Sequence, residues 1–128
     1  KALCEKNAAS EGVASRCVFQ HGDAKQLDFP DESFDVVISN YVYHNVMGAD
    51  MQKLLLESLR VLKKGGVFAL NDDMKQKMYG DMEDFAQKLR DMGYEEVRLV
   101  DTAQEAFGSH RRAAMMMLGS SRLLVGRK

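Results

Sequence analysis

The 128-residue chain has no tryptophan, one proline (Pro30) and only two cysteines, Cys4 and Cys17. Two cysteines exclude a disulfide framework, and a tetrahedral zinc site needs more ligands at closer spacing. They are expected as free thiols in a reducing compartment, which makes a cytoplasmic location the expectation. Long apolar runs are also missing. Val36-Val37-Ile38 falls far short of the roughly 20 residues of a membrane helix, so no membrane segment is expected. Nor is there an excess of charge of one sign. Eighteen basic residues against nineteen acidic ones give a net charge of −1, without the clustered positive field that nucleic acid requires. Lys63-Lys64, Arg111-Arg112 and Arg127-Lys128 are pairs, read as solvated helix ends and a basic tail. His21, His44 and His110 show no HxxxH or HxH spacing, so no metal site is expected.

Hydrophobic residues at 45% and charged residues at 29% suit one globular domain over residues 1–128. Lys1-Ala2-Leu3 is neither an initiator methionine nor a signal peptide. Lys1 to Glu11 reads as helix interior without a cap, so the sequence is expected to be a fragment. After that helix, Cys17-Val18-Phe19-Gln20-His21 is expected as a strand. A loop holds Gln26 to Ser33. Phe34 to Asn40 follows with an unbroken β-branched run, the pattern of a strand covered on both faces. Met51, Leu54, Leu55, Leu59 and Leu62 form one helical stripe between Asp50 and Lys64, with Asp50 as N-cap. Gly65-Gly66 stops that helix before a strand over Val67–Asn71. Asp81 caps a helix bearing Met82, Phe85, Ala86, Leu89 and Met92, which Gly93 ends. Glu95–Asp101 is a strand, Ser109–Leu118 a short helix, and Arg122–Gly126 the last strand. Met115-Met116-Met117 is expected to fill the core. Alternating strands and amphipathic helices make an α/β protein with a largely parallel sheet.

Ligands of open parallel sheets sit beyond the C-terminal strand ends. The residues there are Gly22-Asp23-Ala24, Asn40-Tyr41-Val42-Tyr43-His44 and Asn71-Asp72-Asp73. Asp23 is an acceptor beside the Ala24 N–H donor, the complement of an adenine edge. Gly-Asp is equally ordinary turn chemistry. Asn40 also reads as a strand-end turn residue, and Tyr41 and Tyr43 as aromatic packing. His44 reads either as a general base or as a helix-entry histidine.

Gly22-Asp23-Ala24, the run Leu27-x-Phe29-Pro30-Asp31-x-Ser33-Phe34-Asp35-Val36-Val37, the residues after Asn40, and the turn Leu59-Arg60-Val61-Leu62-Lys63-x-Gly65-Gly66 occur in that order. As an ordered set they resemble the class I S-adenosylmethionine-dependent methyltransferases, especially the branch that includes the ubiquinone/menaquinone enzymes. The resemblance covers about residues 1 to 100 and extends more loosely beyond. It implies a three-layer Rossmann-like sheet of order 3-2-1-4-5-7-6 with an antiparallel terminal pair, and S-adenosylmethionine as cofactor. It also implies that Asp23 and Ala24 hold the adenine and that Asn40 lies near the methionine part. Tyr41 and His44 would face a small-molecule methyl acceptor. Family members carry, earlier in the chain, a GxGxG-type loop and two strands that have no counterpart here. The sheet is therefore expected to be truncated, with the strands around Val18 and Val37 roughly 14 Å apart, three inter-strand spacings. The N-terminal segment would then pack elsewhere, slide in beside the Val37 strand, or leave the gap to a second chain in a homodimer or strand exchange. Poor cofactor binding by these residues alone is the corresponding expectation. The alternative is a noncatalytic binding or assembly module that kept such a sheet.

Overall fold

A computed structural model describes residues 1–128. In chain order the elements are α1 (Ala2–Ser10), β1 (Phe34–Asn40), α2 (Met51–Arg60), β2 (Leu62–Asp73), α3 (Gln76–Tyr79), α4 (Met82–Asp91), β3 (Glu95–Val100), α5 (Thr102–Phe107), α6 (His110–Met115) and β4 (Ser121–Arg127). The four strands form one sheet in the order β1-β2-β4-β3. β1 and β2 are parallel, and β4 runs antiparallel to both β2 and β3. This is the 4-5-7-6 portion of the order implied by the resemblance.

Four helices start where a short polar side chain satisfies backbone donors that have no partner inside the helix, α5 among them with Asp101 accepting from the Gln104 N–H. Asp50 accepts from the Lys53 N–H, Asp81 from the Glu83 and Asp84 N–H groups, and Ser109 from the Arg112 N–H. α2 then buries Met51, Leu54, Leu55 and Leu59, and α4 buries Met82, Phe85, Ala86 and Leu89. Both helices contribute to one core with Phe68, Leu70, Val97 and Leu124 of the sheet. Leu55, Leu59, Leu62, Leu89 and Leu124 have no exposed surface, and each such burial is worth about 1.5–3 kcal/mol.

Several expectations are corrected. No strand forms over Cys17–His21. Arg16 closes a 3-10 turn, and Val18 is 88% exposed. A strand needs a neighbour for its backbone groups, and β1 pairs only with β2. The N-terminal segment has not slid in beside β1. α1 buries only Ala8.

β1 itself is not covered on both faces. Alternation places Val36 and Ile38 on the face away from the core, and they are 58% and 77% exposed. α2 stops at Arg60, and β2 begins at Leu62, so the Lys63–Gly66 segment is strand. Gly66 is obligatory there: a Cβ would stand 2.6 Å from Leu62 Cδ1 and 2.9 Å from the Asp35 carbonyl oxygen. α6 ends at Met115, short of Leu118, and Met92 and Met115-Met116-Met117 lie exposed rather than in the core. α3 and α5 add short helices to segments without a helical pattern long enough to read.

Candidate functional site

The register gathers one end of every strand. Asn40 lies opposite Asn71 across the parallel pair, and Asp73 opposite Ser121 across the antiparallel one. β3 ends beside this edge, where Asp101 caps α5 and Thr102 begins it. Residues from β1, β2, β4 and α5 thus share one sheet tip. Side-chain alternation puts Asn40, Asn71 and Ser121 toward one face and Asp72 toward the other.

On the core face, Asp72 is fully buried. Its Oδ2 accepts from the Tyr43 N–H at 2.9 Å and its Oδ1 from the Asp73 N–H at 2.7 Å. His44 Nδ1 stands 2.5 Å from Asp72 Oδ1, and a third of the His44 side chain remains exposed. A carboxylate takes Nδ1 as a donor, so the lone pair is left on Nε2. The structure therefore brings Asp72 to the expected His44, across 28 residues of chain.

Tyr43 is structural: its hydroxyl donates to Ser58 Oγ at 2.9 Å, and burial raises its pKa. Tyr79 is almost wholly buried with a hydroxyl that lacks a hydrogen-bond partner. Burial, and then the Asp72 charge, raise its pKa strongly.

On the opposite face, Asn71 Nδ2 donates to Asn40 Oδ1 at 2.8 Å, and Thr102 Oγ1 lies 3.2 Å from Asn71 Oδ1. Ser121 Oγ joins Thr102 Oγ1 at 2.7 Å to the Tyr41 hydroxyl at 2.5 Å. Tyr41 and His44 meet edge to face, with ring centroids 6.4 Å apart. Thr102 and Ser121 carry no signal in the sequence, and Asp72 stands there only as one of three strand-end residues without a role. The Asn71-Asp72-Asp73 run marked a strand end, but nothing local shows which acid reaches a histidine two elements earlier.

Asp23 and Ala24 are not at a strand end, because the strand before them is absent. They occupy a turn closed by a bridge between Asp23 and Gln26. Asp23 Oδ1 accepts from the Lys25 N–H at 2.9 Å, leaving Oδ2 unused, and the Ala24 N–H has no backbone partner. The following loop is anchored by Arg60, which donates to the carbonyl oxygens of Leu27 and Phe29 and pairs with Asp31 and Glu57. Glu57 Oε1 accepts from the Leu27 N–H at 2.7 Å. Hydrogen bonding to Arg60 holds the Glu57 carboxyl below its usual pKa.

Between this loop and the sheet tip, an open cleft of about 680 Å³ runs along β1, lined mainly by apolar side chains and by Asn40 and Asn71. A nucleoside cofactor needs an adjacent acceptor and donor for its base and a polar group for its amino-acid end. Asn40 lines the cleft and offers its Nδ2 as such a polar group, while Asp23 Oδ2 and the Ala24 N–H offer the acceptor and donor from a turn outside the cleft lining, so the donor set has the chemistry such a ligand needs. No three His, Cys, Asp or Glu side chains gather in a group that could hold a metal, and no helix is long and apolar enough to cross a membrane.

The model of a methyltransferase domain family matches residues 1–70. The 27-O-demethylrifamycin SV methyltransferase of Amycolatopsis mediterranei is 32% identical over 102 residues, 80% of this chain and 36% of that protein. The demethylmenaquinone methyltransferase of Listeria welshimeri is 42% identical over 60 residues, 47% of this chain and 25% of that protein. The chain thus spans well under half the length of these curated relatives. The crystal structure of the [4+2]-cyclase SpnF superposes with a TM-score of 0.64 at 19% identity, covering 99% of this chain and 62% of that one. At that identity the likeness concerns the fold alone.

Proposed function

Because the chain belongs to the methyltransferase domain family, within the class I S-adenosylmethionine-dependent group, we propose that its gene product transfers a methyl group to a hydroxyl of a small molecule, with His44 as general base. The observation that carries this is the His44–Asp72 pair at the sheet tip. When bound, S-adenosylmethionine supplies a methyl group already activated by its sulfonium. What remains for the protein is alignment and proton removal.

Asp72 fixes the imidazole ring and its tautomer and stabilises the charge that ring acquires. His44 Nε2 receives the proton of the acceptor hydroxyl as its oxygen becomes the nucleophile. Asp23 and the Ala24 N–H hold the adenine, and Asn40 the methionine end. The outer edge of β1 is left for another strand, from elsewhere in the gene product or by exchange with a second copy. The two free cysteines support a cytoplasmic setting.

The test is mass-spectrometric detection of methylated product from a panel of phenols and alcohols incubated with S-adenosylmethionine and the full-length gene product. Methylation of wild type that disappears in His44→Gln supports the proposal. An acceptor methylated at nitrogen or carbon with His44→Gln unimpaired would refute the role of His44. The absence of any cofactor binding by the full-length product would favour the noncatalytic module instead.

A further inference from the structure

Tyr41 is held in a conformation that its own backbone disfavours. Its φ of 53° lies in the left-handed region, which costs an L residue roughly 1–2 kcal/mol. Two contacts maintain it: the Tyr41 N–H donates to the Asn71 carbonyl at 2.9 Å, and the Tyr41 hydroxyl meets Ser121 Oγ at 2.5 Å. Strain kept in this way at a sheet tip marks a side chain whose placement matters.

The hydrogen bonds beyond Ser121 determine what that side chain offers. Each hydroxyl carries a single proton. Thr102 spends its proton on Asn71 Oδ1, so Ser121, 2.7 Å away, must donate to Thr102. Ser121 then has no proton left, and the bond between it and Tyr41 is donated by Tyr41. The relay runs in one direction, from Tyr41 through Ser121 and Thr102 to Asn71, whose Nδ2 continues it to Asn40 Oδ1. Tyr41 Oη is left with a lone pair and no proton to give. His44, its ring 6.4 Å away, presents the lone pair of Nε2. The edge-to-face contact of the two rings brings both acceptors to the same sheet tip, with no donor from either.

Building on the methyl-transfer reading, we propose that Tyr41 determines specificity: its hydroxyl oxygen receives a hydrogen bond from a second O–H or N–H of the methyl acceptor, next to the hydroxyl that His44 deprotonates. The substrate class is a small molecule with a nucleophilic hydroxyl and another polar hydrogen close beside it. An ether or carbonyl at the second position would set lone pair against lone pair and be excluded. Ser121 and Thr102 are positioning residues, and both lie beyond the family match at residues 1–70.

Two measurements on the full-length gene product test this. Proton NMR is expected to show a slowly exchanging Tyr41 hydroxyl proton with a cross-peak to the Ser121 β-protons. A protected proton on Ser121 beside a fast-exchanging Tyr41 hydroxyl would mean a reversed relay and would overturn the proposal. Titrations with catechol and with its monomethyl ether guaiacol, in the presence of S-adenosylhomocysteine, read the specificity. Catechol is expected to bind about tenfold more tightly, the worth of one hydrogen bond. Tyr41→Phe removes that preference from both sides, weakening catechol by the lost hydrogen bond and improving guaiacol because the opposing lone pair is gone. Ser121→Ala narrows it by improving guaiacol binding, because the released Tyr41 proton can then be donated to the ether oxygen. Equal affinity for the two probes in wild type, or binding of neither, overturns the proposal. The two levels separate cleanly: preference without methylated product defeats the methyl-transfer reading, whereas methylated product without preference defeats only the role of Tyr41.

Discussion

His44 Nδ1 and Asp72 Oδ1 are 2.5 Å apart, and the carboxylate is inaccessible to solvent while the imidazole is not. A buried charge is tolerable only when every lone pair is used. Here the Tyr43, His44 and Asp73 N–H groups and the His44 ring use them. Replacing Asp72 by Asn keeps the shape, but its amide can present an N–H to Nδ1, turning the ring's lone pair away from the acceptor. Methyl transfer in Asp72→Asn is expected to fall by about 10² to 10⁴-fold, the usual contribution of a positioned base. His44→Gln is expected to fall by a similar factor. Because the two residues act as one unit, the double variant is expected to be no slower than the worse single one. Single-turnover rates decide it, and multiplying losses would show that the residues act separately.

Asp23 makes a different prediction, because its carboxylate is exposed and stabilises little. Asp23→Ala is expected to weaken S-adenosylmethionine binding by about 10 to 100-fold, the loss of one hydrogen bond to a charged acceptor. The thermal midpoint is expected to stay near that of wild type. Calorimetric titration checks the first, a melting curve the second. Unchanged affinity would remove Asp23 from the cofactor site.

The Glu57–Arg60 anchor of the loop is acid-sensitive. Arg60 lowers the Glu57 carboxyl below its ordinary pKa of 4.5, so the folded form binds this proton less readily than the unfolded chain. The resulting stabilisation is complete above that ordinary value and is lost as pH falls through the depressed one. Protonated Glu57 is a poorer acceptor for the Leu27 N–H. The protection factor of the Leu27 amide in hydrogen exchange is therefore expected to fall in mild acid before the core amides of Leu55 and Leu59 lose theirs. Simultaneous loss would show that the loop opens only with global unfolding.

The sheet was legible in sequence wherever an element carried its own pattern. β1, the parallel strand β2, the antiparallel end formed by β3 and β4, and the helices capped by Asp50, Asp81 and Ser109 all follow from periodicity, turn residues and family resemblance. What depended on distant partners was not legible. The apolar residues of the Cys17–His21 segment suit a strand, but a strand exists only beside another. Val36 and Ile38 have the composition of a doubly covered strand, yet β1 is an edge in this sheet and one face stays open. Site residues divide in the same way. Asn40, Tyr41 and His44 follow one strand end and could be named from local order. Asp72, Thr102 and Ser121 reach them only because β2, α5 and β4 converge on the same tip.

Adjacent glycines in the first part of β2 differ in what they demand, and the difference can be measured. Gly65 has a φ of 78° but open space where a Cβ would go, so Gly65→Ala is expected to cost about 1 kcal/mol in backbone strain. Gly66 has no left-handed φ, but its Cβ would meet Leu62 Cδ1 at 2.6 Å, the Lys63 carbonyl oxygen at 2.8 Å and the Asp35 carbonyl oxygen at 2.9 Å. The Leu62 methyl could swing aside, whereas the two carbonyls are backbone of β2 and β1 at the register shift between Phe34 and Val36 and cannot move without shifting the strands. Gly66→Ala is therefore expected to cost about 1–3 kcal/mol, the range for overpacking a tight site. Urea unfolding of both variants orders them. If Gly65→Ala proved the more damaging, the close approach of β1 to β2 at Asp35 would not be what requires glycine at position 66.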